Sequence, residues 1–250
     1  SEGTLGIITA ARLRLHRPHG RTSVALVGCS GIDDSLEIMV SALRGRVVAA
    51  EVMDSVSMSL VEKVAGLPHP VQGQHAYYAL LEVADGGTGD GFVEQVLNER
   101  DVAVGCDASD VQRLWQYRER QAEAFATLGV IHKLDISLPL SHLAACVEEI
   151  TQVAATDSRV STVGIFGHLA DGNMHVQIHG PEAADTFTEK AIFECVSRWG
   201  GAISAEHGIG RAKNDLLHLS RSEAEIRAMR AIKDAWDPSN VMNPGVLFAS

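Results

Sequence analysis

The stretch Gly167-His168-Leu169-Ala170-Asp171-Gly172-Asn173-Met174-His175 sets two imidazoles on either side of an Asp-Gly turn. Strand residues before and after such a turn can face each other, so His168 and His175 can converge on one point. Imidazole is the commonest metal-binding side chain and suits zinc, iron or nickel. Asp171 or Asn173 can hold the turn through its side chain. A second stretch, Ser204-Ala205-Glu206-His207-Gly208-Ile209-Gly210, puts a carboxylate beside an imidazole, flanked by glycine that lets backbone or ligand approach closely. Two His and one carboxylate make a three-ligand set with coordination positions left open, as a catalytic metal requires. Glu206 is then the third ligand and His207 a free base next to the metal. Each stretch also has a plainer reading: a polar hairpin with His at its base, and a helix N-terminus with Glu206 near the cap.

A third group is cationic. Arg118 lies in a long helical stretch, and Lys133 opens the run Lys133-Leu134-Asp135-Ile136-Ser137-Leu138-Pro139. In an alternating strand Lys133, Asp135 and Ser137 share one face, opposite Leu134 and Ile136. A polar face on an interior strand is costly unless it lines a site. Arg offers a two-pronged match to a carboxylate and Lys adds a point charge; the plainer reading is a solvated face. Asp90 and Glu94, beside a glycine-rich turn, read as surface charge.

The elements that must position these groups follow from hydrophobic period. Strands are expected at 5–15, 22–29, 46–53, 75–83, 102–106, 130–137, 161–168 and 174–179. Helices are expected at 32–43, 55–64, 92–99, 110–128, 141–155 (capped by Ser141) and 183–199, with further helical stretches before the tail at 237–245. The order fits an α+β fold: two ferredoxin-like βαββαβ units merging into one antiparallel sheet with helices on one face, plus a small helical C-terminal part. A doubly wound parallel sheet ranks second, because neither half carries a Gly-rich strand-to-helix turn of the dinucleotide type.

The chain has 250 residues, 46% hydrophobic and 21% charged, with a formal net charge of −11. Such a chain can bury a sizeable core, and its apolar content excludes disorder as the main state. An acidic balance with scattered Lys and Arg argues against a nucleic-acid partner but leaves room for a local basic pocket that binds a small acid. Cys29, Cys106, Cys146 and Cys195 form no C-x-x-C pair and read as reduced core thiols in a reducing compartment, here the cytoplasm. No apolar run reaches the ~18 residues of a membrane helix, and the N-terminus does not read as a signal peptide. It opens without Met, on Ser1-Glu2-Gly3-Thr4, and reads as the interior of a longer protein.

Taken in this order, the three features resemble the C-terminal part of FAD-linked oxidases of the vanillyl-alcohol oxidase type. The similarity is to the D-2-hydroxyacid dehydrogenase branch, which includes D-2-hydroxyglutarate and D-lactate dehydrogenases and the glycolate oxidase D subunit. It runs over essentially the whole chain. Residues 167–175 and 204–210 match two metal motifs, Arg118-Glu119 and 133–139 the substrate-domain pattern, and 237–245 the tail. The resemblance implies a divalent metal, zinc-like, on His168, His175 and Glu206, with His207 as general base. It implies that Arg118 and Lys133 hold substrate carboxylate, with Asn173 and Gln177 facing substrate, and that Glu2, Gly3, Ile7 and Asn243 lie near the flavin. Residues 1–18 would be the end of an FAD-binding domain, 19–205 the substrate domain, and 206–250 a helical return to the FAD domain. The implied partners are a small 2-hydroxy acid, the FAD-binding domain of the same protein, and an electron acceptor protein or quinone, with a homodimer also admitted. Without its FAD domain the chain is expected not to turn over. Departures from the family pattern are Ala170 for Gly, Gln177 for Asn and Ala122 for Thr; the last two bear on which acid is taken. The rival readings are a flavin-independent metallohydrolase on the same three ligands, the related ether-lipid synthase branch, whose run of adjacent His is missing here, and a non-catalytic binding module.

Overall fold

Alternation along single strands divides the core into two layers, one on each side of a sheet. In β1 (Thr22–Cys29), Ala25, Val27 and Cys29 belong to one buried cluster and Val24 and Leu26 to the other. A strand can be apolar on both faces only if both are covered. The computed structural model describes residues 1–17, 20–42, 46–84 and 100–248; the helix expected at 92–99, the glycine-rich turn before it, Asp90 and Glu94 lie outside them.

Among the described residues seven strands form one sheet in the order β4-β1-β3-β2-β6-β7-β5, with β2 at Arg46–Asp54, β3 at Tyr77–Ala84, β4 at Val102–Gly105, β5 at Ile131–Ser137, β6 at Thr162–His168 and β7 at Asn173–His179. All pairs are antiparallel, which removes the doubly wound alternative. β4-β1-β3-β2 is the strand order of a ferredoxin-like unit. The second half repeats it in mirror order: β6, β7 and β5 are followed by Ala202, whose backbone exchanges two hydrogen bonds with Ser137 (2.8 and 3.0 Å) as a one-residue fourth strand. The halves join where β2 pairs with β6, in the register Glu51↔His168, Val52↔Gly167 and Met53↔Phe166.

Helices α1 (Ile32–Ala42), α5 (Leu143–Ala155) and α6 (Phe187–Arg198) cover one face of the whole sheet. The structure adds a second set on the opposite face of the first half: α2 (Ser55–Ala65), α3 (Ala108–Glu119) and α4 (Gln121–Ala126), which bury Met58, Leu114, Tyr117 and Phe125 against Val24, Leu26, Met53 and Phe166. Phe125 stacks on Phe166 with ring centroids 6.3 Å apart. It can do so only because residue 164 is glycine, where a Cβ would sit 2.1 Å from Phe125 Cζ. Over β5 and β7 this second face is apolar only at Ile131, which packs against the second cluster: Leu134, Ile136, Met174, Val176 and Ile178 all point to the first cluster, leaving Lys133, Asp135, Asn173, His175 and Gln177 on the other side.

Several expected elements differ. Residues 6–17 form no strand and expose Ile7, Ile8, Leu13 and Leu15, because no neighbouring strand pairs with them. The helix expected at 110–128 is two, separated at Arg120, whose φ −89°, ψ 8° departs from helical values. α5 begins at Leu143 after a 3₁₀ turn, Leu140–His142, so Ser141 is not its cap. Of the four thiols, Cys106 is exposed rather than in the core. The C-terminal part is a 3₁₀ segment (Asn214–Leu219) and α7 (Glu223–Trp236), started by a reciprocal Ser222–Glu225 capping box. Among the described residues no helix is long and apolar enough to cross a membrane.

Candidate metal and substrate site

Register places the two histidines. Asn173, His175 and Gln177 alternate with buried Met174 and Val176 on β7, so all three point to the open polar face. Phe166 and His168 point the same way from β6, with Phe166 opposite His175 in the ladder. The turn between the strands is held by Asp171, whose carboxylate accepts the Asn173 N–H at 3.0 Å. It needs glycine at 172: φ is +72°, and a Cβ would lie 2.1 Å from the Leu138 carbonyl oxygen. The imidazoles of His168 and His175 end edge to face, centroids 5.7 Å apart.

Glu206 arrives from a distant loop, and buried Asp135 brings it there. Asp135, fully buried on β5 opposite His175, accepts the backbone N–H groups of Glu206 (2.6 Å) and His207 (3.0 Å) through Oδ2. Burial raises its pKa, but these two hydrogen bonds and the nearby His207 and His175 outweigh that and hold the carboxyl below its ordinary value. Its other oxygen is 3.5 Å from His175 Nδ1. The loop is tied from the other side by Glu2, whose carboxylate accepts the N–H groups of Ile209 (2.9 Å) and Gly210 (2.7 Å). The helix-start alternative for 204–210 is thereby replaced by a hydrogen-bonded loop.

The result is a cluster of three side chains that could hold a metal ion. One donor atom from each of His168, His175 and Glu206 lies within 4.8 Å of the others, and His168 Nε2 is 3.8 Å from Glu206 Oε1. Donors ~2.0–2.2 Å from one ion are at most ~4.4 Å apart, so a small rotation of the exposed Glu206 side chain brings the set onto a common centre. Glu51, Asp135 and Glu206 stand around the cluster, with Arg118 bound to Glu51 and Lys213 close enough to Asp135 to feel its charge. Burial lowers the His175 pKa first, and Arg118 and His168 lower it further, favouring the neutral imidazole that ligates metal. Three buried acceptors on this face, Asp135 Oδ1, Asn173 Oδ1 and Gln177 Oε1, have no hydrogen-bond partner, a shortfall that a bound ion, water or substrate hydroxyl would meet.

The substrate candidates divide. Arg118 reaches the cluster from α3: its guanidinium lies 5.1 Å over the Phe166 ring, and its Nε donates to Glu51 at 2.7 Å. Lys133 is exposed at the outer end of the same polar face. Asn173 and Gln177 are buried beside His175. The His207 ring is exposed, and only its backbone is fixed. Of the expected flavin contacts, Glu2, Gly3 and Asn243 do meet: Asn243 Nδ2 donates to Glu2 O at 2.5 Å and packs on Gly3. The Glu2 carboxylate is in turn engaged with the backbone of the 209–210 loop. Ile7 stands apart, 84% exposed. Sequence reasoning missed Glu51 and read Asp135 only as one of a polar row. The available signal for Glu51 was a lone acid inside the apolar strand Val47-Val48-Ala49-Ala50-Glu51-Val52-Met53.

The model of the family described as FAD linked oxidases, C-terminal domain, matches residues 19–247, most of the chain, and the chain belongs to that family. Among its relatives, the mitochondrial D-2-hydroxyglutarate dehydrogenase of Bos taurus is 36% identical over 260 residues, covering 98% of this chain and 47% of that protein. The D-2-hydroxyglutarate dehydrogenase of Stutzerimonas stutzeri is 31% identical over 270 residues, covering 100% and 57%. The chain thus spans about half the length of the curated relatives it matches. A solved alkyldihydroxyacetonephosphate synthase superposes with a TM-score of 0.59 at 14% identity, over 97% of this chain and 47% of that one, a likeness of fold.

Proposed function

We propose that this chain is the substrate- and metal-binding part of a flavoprotein that oxidises a D-2-hydroxy acid, such as D-2-hydroxyglutarate, D-lactate or glycolate, to the 2-oxo acid. The observation that carries the reading is the convergence of His168, His175 and Glu206 on one centre, with an arginine over the adjoining Phe166. His168, His175 and Glu206 would hold the ion, and a zinc-like divalent ion there supplies Lewis acidity toward the substrate hydroxyl. Hydride acceptance is the chemistry of FAD, held by the remainder of the longer protein. Residues 1–18 and 206–250 would face that remainder, with 19–205 forming the substrate domain.

Each side chain then has a task that its position supports. Arg118, with one guanidinium edge spent on Glu51, presents its remaining N–H groups to a substrate carboxylate. Lys133 adds a second cation at the outer end of the face, where the far carboxylate of a diacid would lie. Asn173 and Gln177 offer buried amide groups to the bound acid. His207 takes the hydroxyl proton. Fixing the acid against these groups turns binding energy into proximity. Family membership gives no support to a flavin-independent hydrolase.

The test uses the full-length protein with its flavin, under anaerobic conditions. D-2-hydroxyglutarate, D-lactate, D-malate and glycolate are added singly and flavin bleaching is followed. At least one acid is expected to bleach the flavin, with the response lost on chelation and restored by a divalent ion. Failure of every acid with metal present refutes the reading.

A further inference from the structure

We infer that Glu51 is a positioning residue that fixes which nitrogen of His168 faces the metal centre, and that it ties this ligand to Arg118. The inference deepens the proposed function and rests on its metal site. It comes from the two oxygens of one buried carboxylate, 6% exposed on β2. Oε1 is 2.8 Å from His168 Nδ1, and Oε2 accepts Arg118 Nε at 2.7 Å.

An ionised carboxylate has only acceptors, so the proton of the neutral imidazole must sit on Nδ1. That leaves the lone pair on Nε2, the nitrogen that lies 3.8 Å from Glu206. The same contact sets the plane of the ring, since both partners sit opposite each other in the β2–β6 ladder. A buried Arg–Glu pair contributes little net stability, because removing both charges from water costs about as much as their attraction returns. Its place between a metal ligand and a substrate cation gives it a use. Glu51 holds the guanidinium against Phe166 and the imidazole against the ion position with the same group. Metal-ligating histidines commonly donate their other ring N–H to such a carboxylate, and loss of that partner weakens metal affinity about 10–100-fold.

The geometry makes Glu51→Gln a sharp test although it is nearly isosteric. Arg118 Nε can only donate, so the amide oxygen must remain at the Oε2 position. The amide NH₂ then faces His168 Nδ1 and donates to it. The imidazole proton is driven to Nε2, and the ligating lone pair is lost.

Two measurements read this in the full-length protein. Long-range ¹H–¹⁵N spectra of metal-free protein labelled with [¹⁵N]histidine should show the Nδ1–H form of His168 in the wild type and the Nε2–H form in Glu51→Gln. Competition of a chelator for Co²⁺ should show about 10–100-fold weaker binding in Glu51→Gln, with partial recovery in Glu51→Asp, which keeps an acceptor on this side. An Nε2–H form in the wild type overturns the inference whatever the variants do, as does wild-type Co²⁺ affinity in a folded Glu51→Gln. If the wild type binds no Co²⁺ at all while His168 is the Nδ1–H form, the metal reading fails and the positioning contact stands.

Discussion

Asp135 is the residue on which the site depends most for its shape, and its removal can be costed. Its Oδ2 accepts two backbone N–H groups, those of Glu206 and His207. Hydrogen bonds to a charged group contribute about 1.5–3 kcal/mol each, against about 0.5–1.5 for neutral pairs. The carboxylate also carries the cost of full burial, yet its pKa stays below the ordinary value, so the ionised form is the one the fold favours. Asp135→Ala should therefore destabilise by about 3 kcal/mol or more. Asp135→Asn keeps the volume and an acceptor but not the charge, and should lose about 1 kcal/mol per bond, about 2 in total. In a protein of this size each kcal/mol moves Tm by about 2–4 °C, so shifts of about 6–12 °C for Ala and about 4–8 °C for Asn are expected. Thermal and urea unfolding at pH 7 provide the assay, with an unchanged denaturant slope as the control for an unchanged unfolded state. Limited proteolysis should show the 204–210 loop opening before the rest of the chain. If both variants unfold within about 0.5 kcal/mol of the wild type, the range of an ordinary surface substitution, the two hydrogen bonds do not hold the loop and the account of how Glu206 reaches the cluster is wrong.

His207→Ala in the flavin-loaded full-length protein should lower kcat by about 10²–10⁴-fold and leave metal content unchanged, because the His207 ring is outside the ligand set; equal turnover would remove it as the base. Gly172→Ala forces a Cβ into a φ of +72° and to 2.1 Å from the Leu138 carbonyl oxygen. It should destabilise by about 1–3 kcal/mol and weaken Co²⁺ binding, and an unfolding midpoint equal to wild type would contradict the turn argument. Asp101 accepts from His75 Nε2 and from the N–H groups of Gln72 and Gly73. The His75 bond first, then the two backbone N–H groups, lower its pKa from 3.8 to about 2. A carboxyl depressed in the folded state contributes stability that is full above its unfolded value and is lost as pH falls through its folded value. The wild type should therefore lose more stability than Asp101→Asn between about pH 4 and about pH 2, followed by urea midpoints; parallel curves would refute this.

The site was legible where chemistry and local sequence coincide. His168, Asp171 and His175 sit on one hairpin, so their spacing about the Asp-Gly turn allows the two imidazoles to meet. Glu206 could be paired with them by residue type but not placed, because what brings it there is Asp135, 71 residues earlier in the chain. Glu51 was hidden for a related reason. Its partners, Arg118 and His168, lie 67 and 117 residues further along, and only the β2–β6 register makes them neighbours. The fold was readable from alternation and helical stripes, including the repeat of two units. The second helical layer was not, since α2, α3 and α4 carry the same kind of apolar stripe as α1 and α5, and a stripe does not say which side of a sheet it will meet. Residues 5–15 show the converse: a strand-like pattern makes no strand without a neighbour to complete its hydrogen bonds.

The junction of the halves, where Glu51 of one unit stands across from His168 of the other, would give an ion held there a wider reach than its ligands. The histidines and Glu206 belong to the C-terminal unit, whereas Glu51 and Arg118 come from the N-terminal unit and the helix that follows it. A cation bound at this border is therefore answered by both units at once, like a rivet through overlapping plates. A shift of one plate against the other would change the seat of the imidazole and the aim of the guanidinium together, because both rest on Glu51.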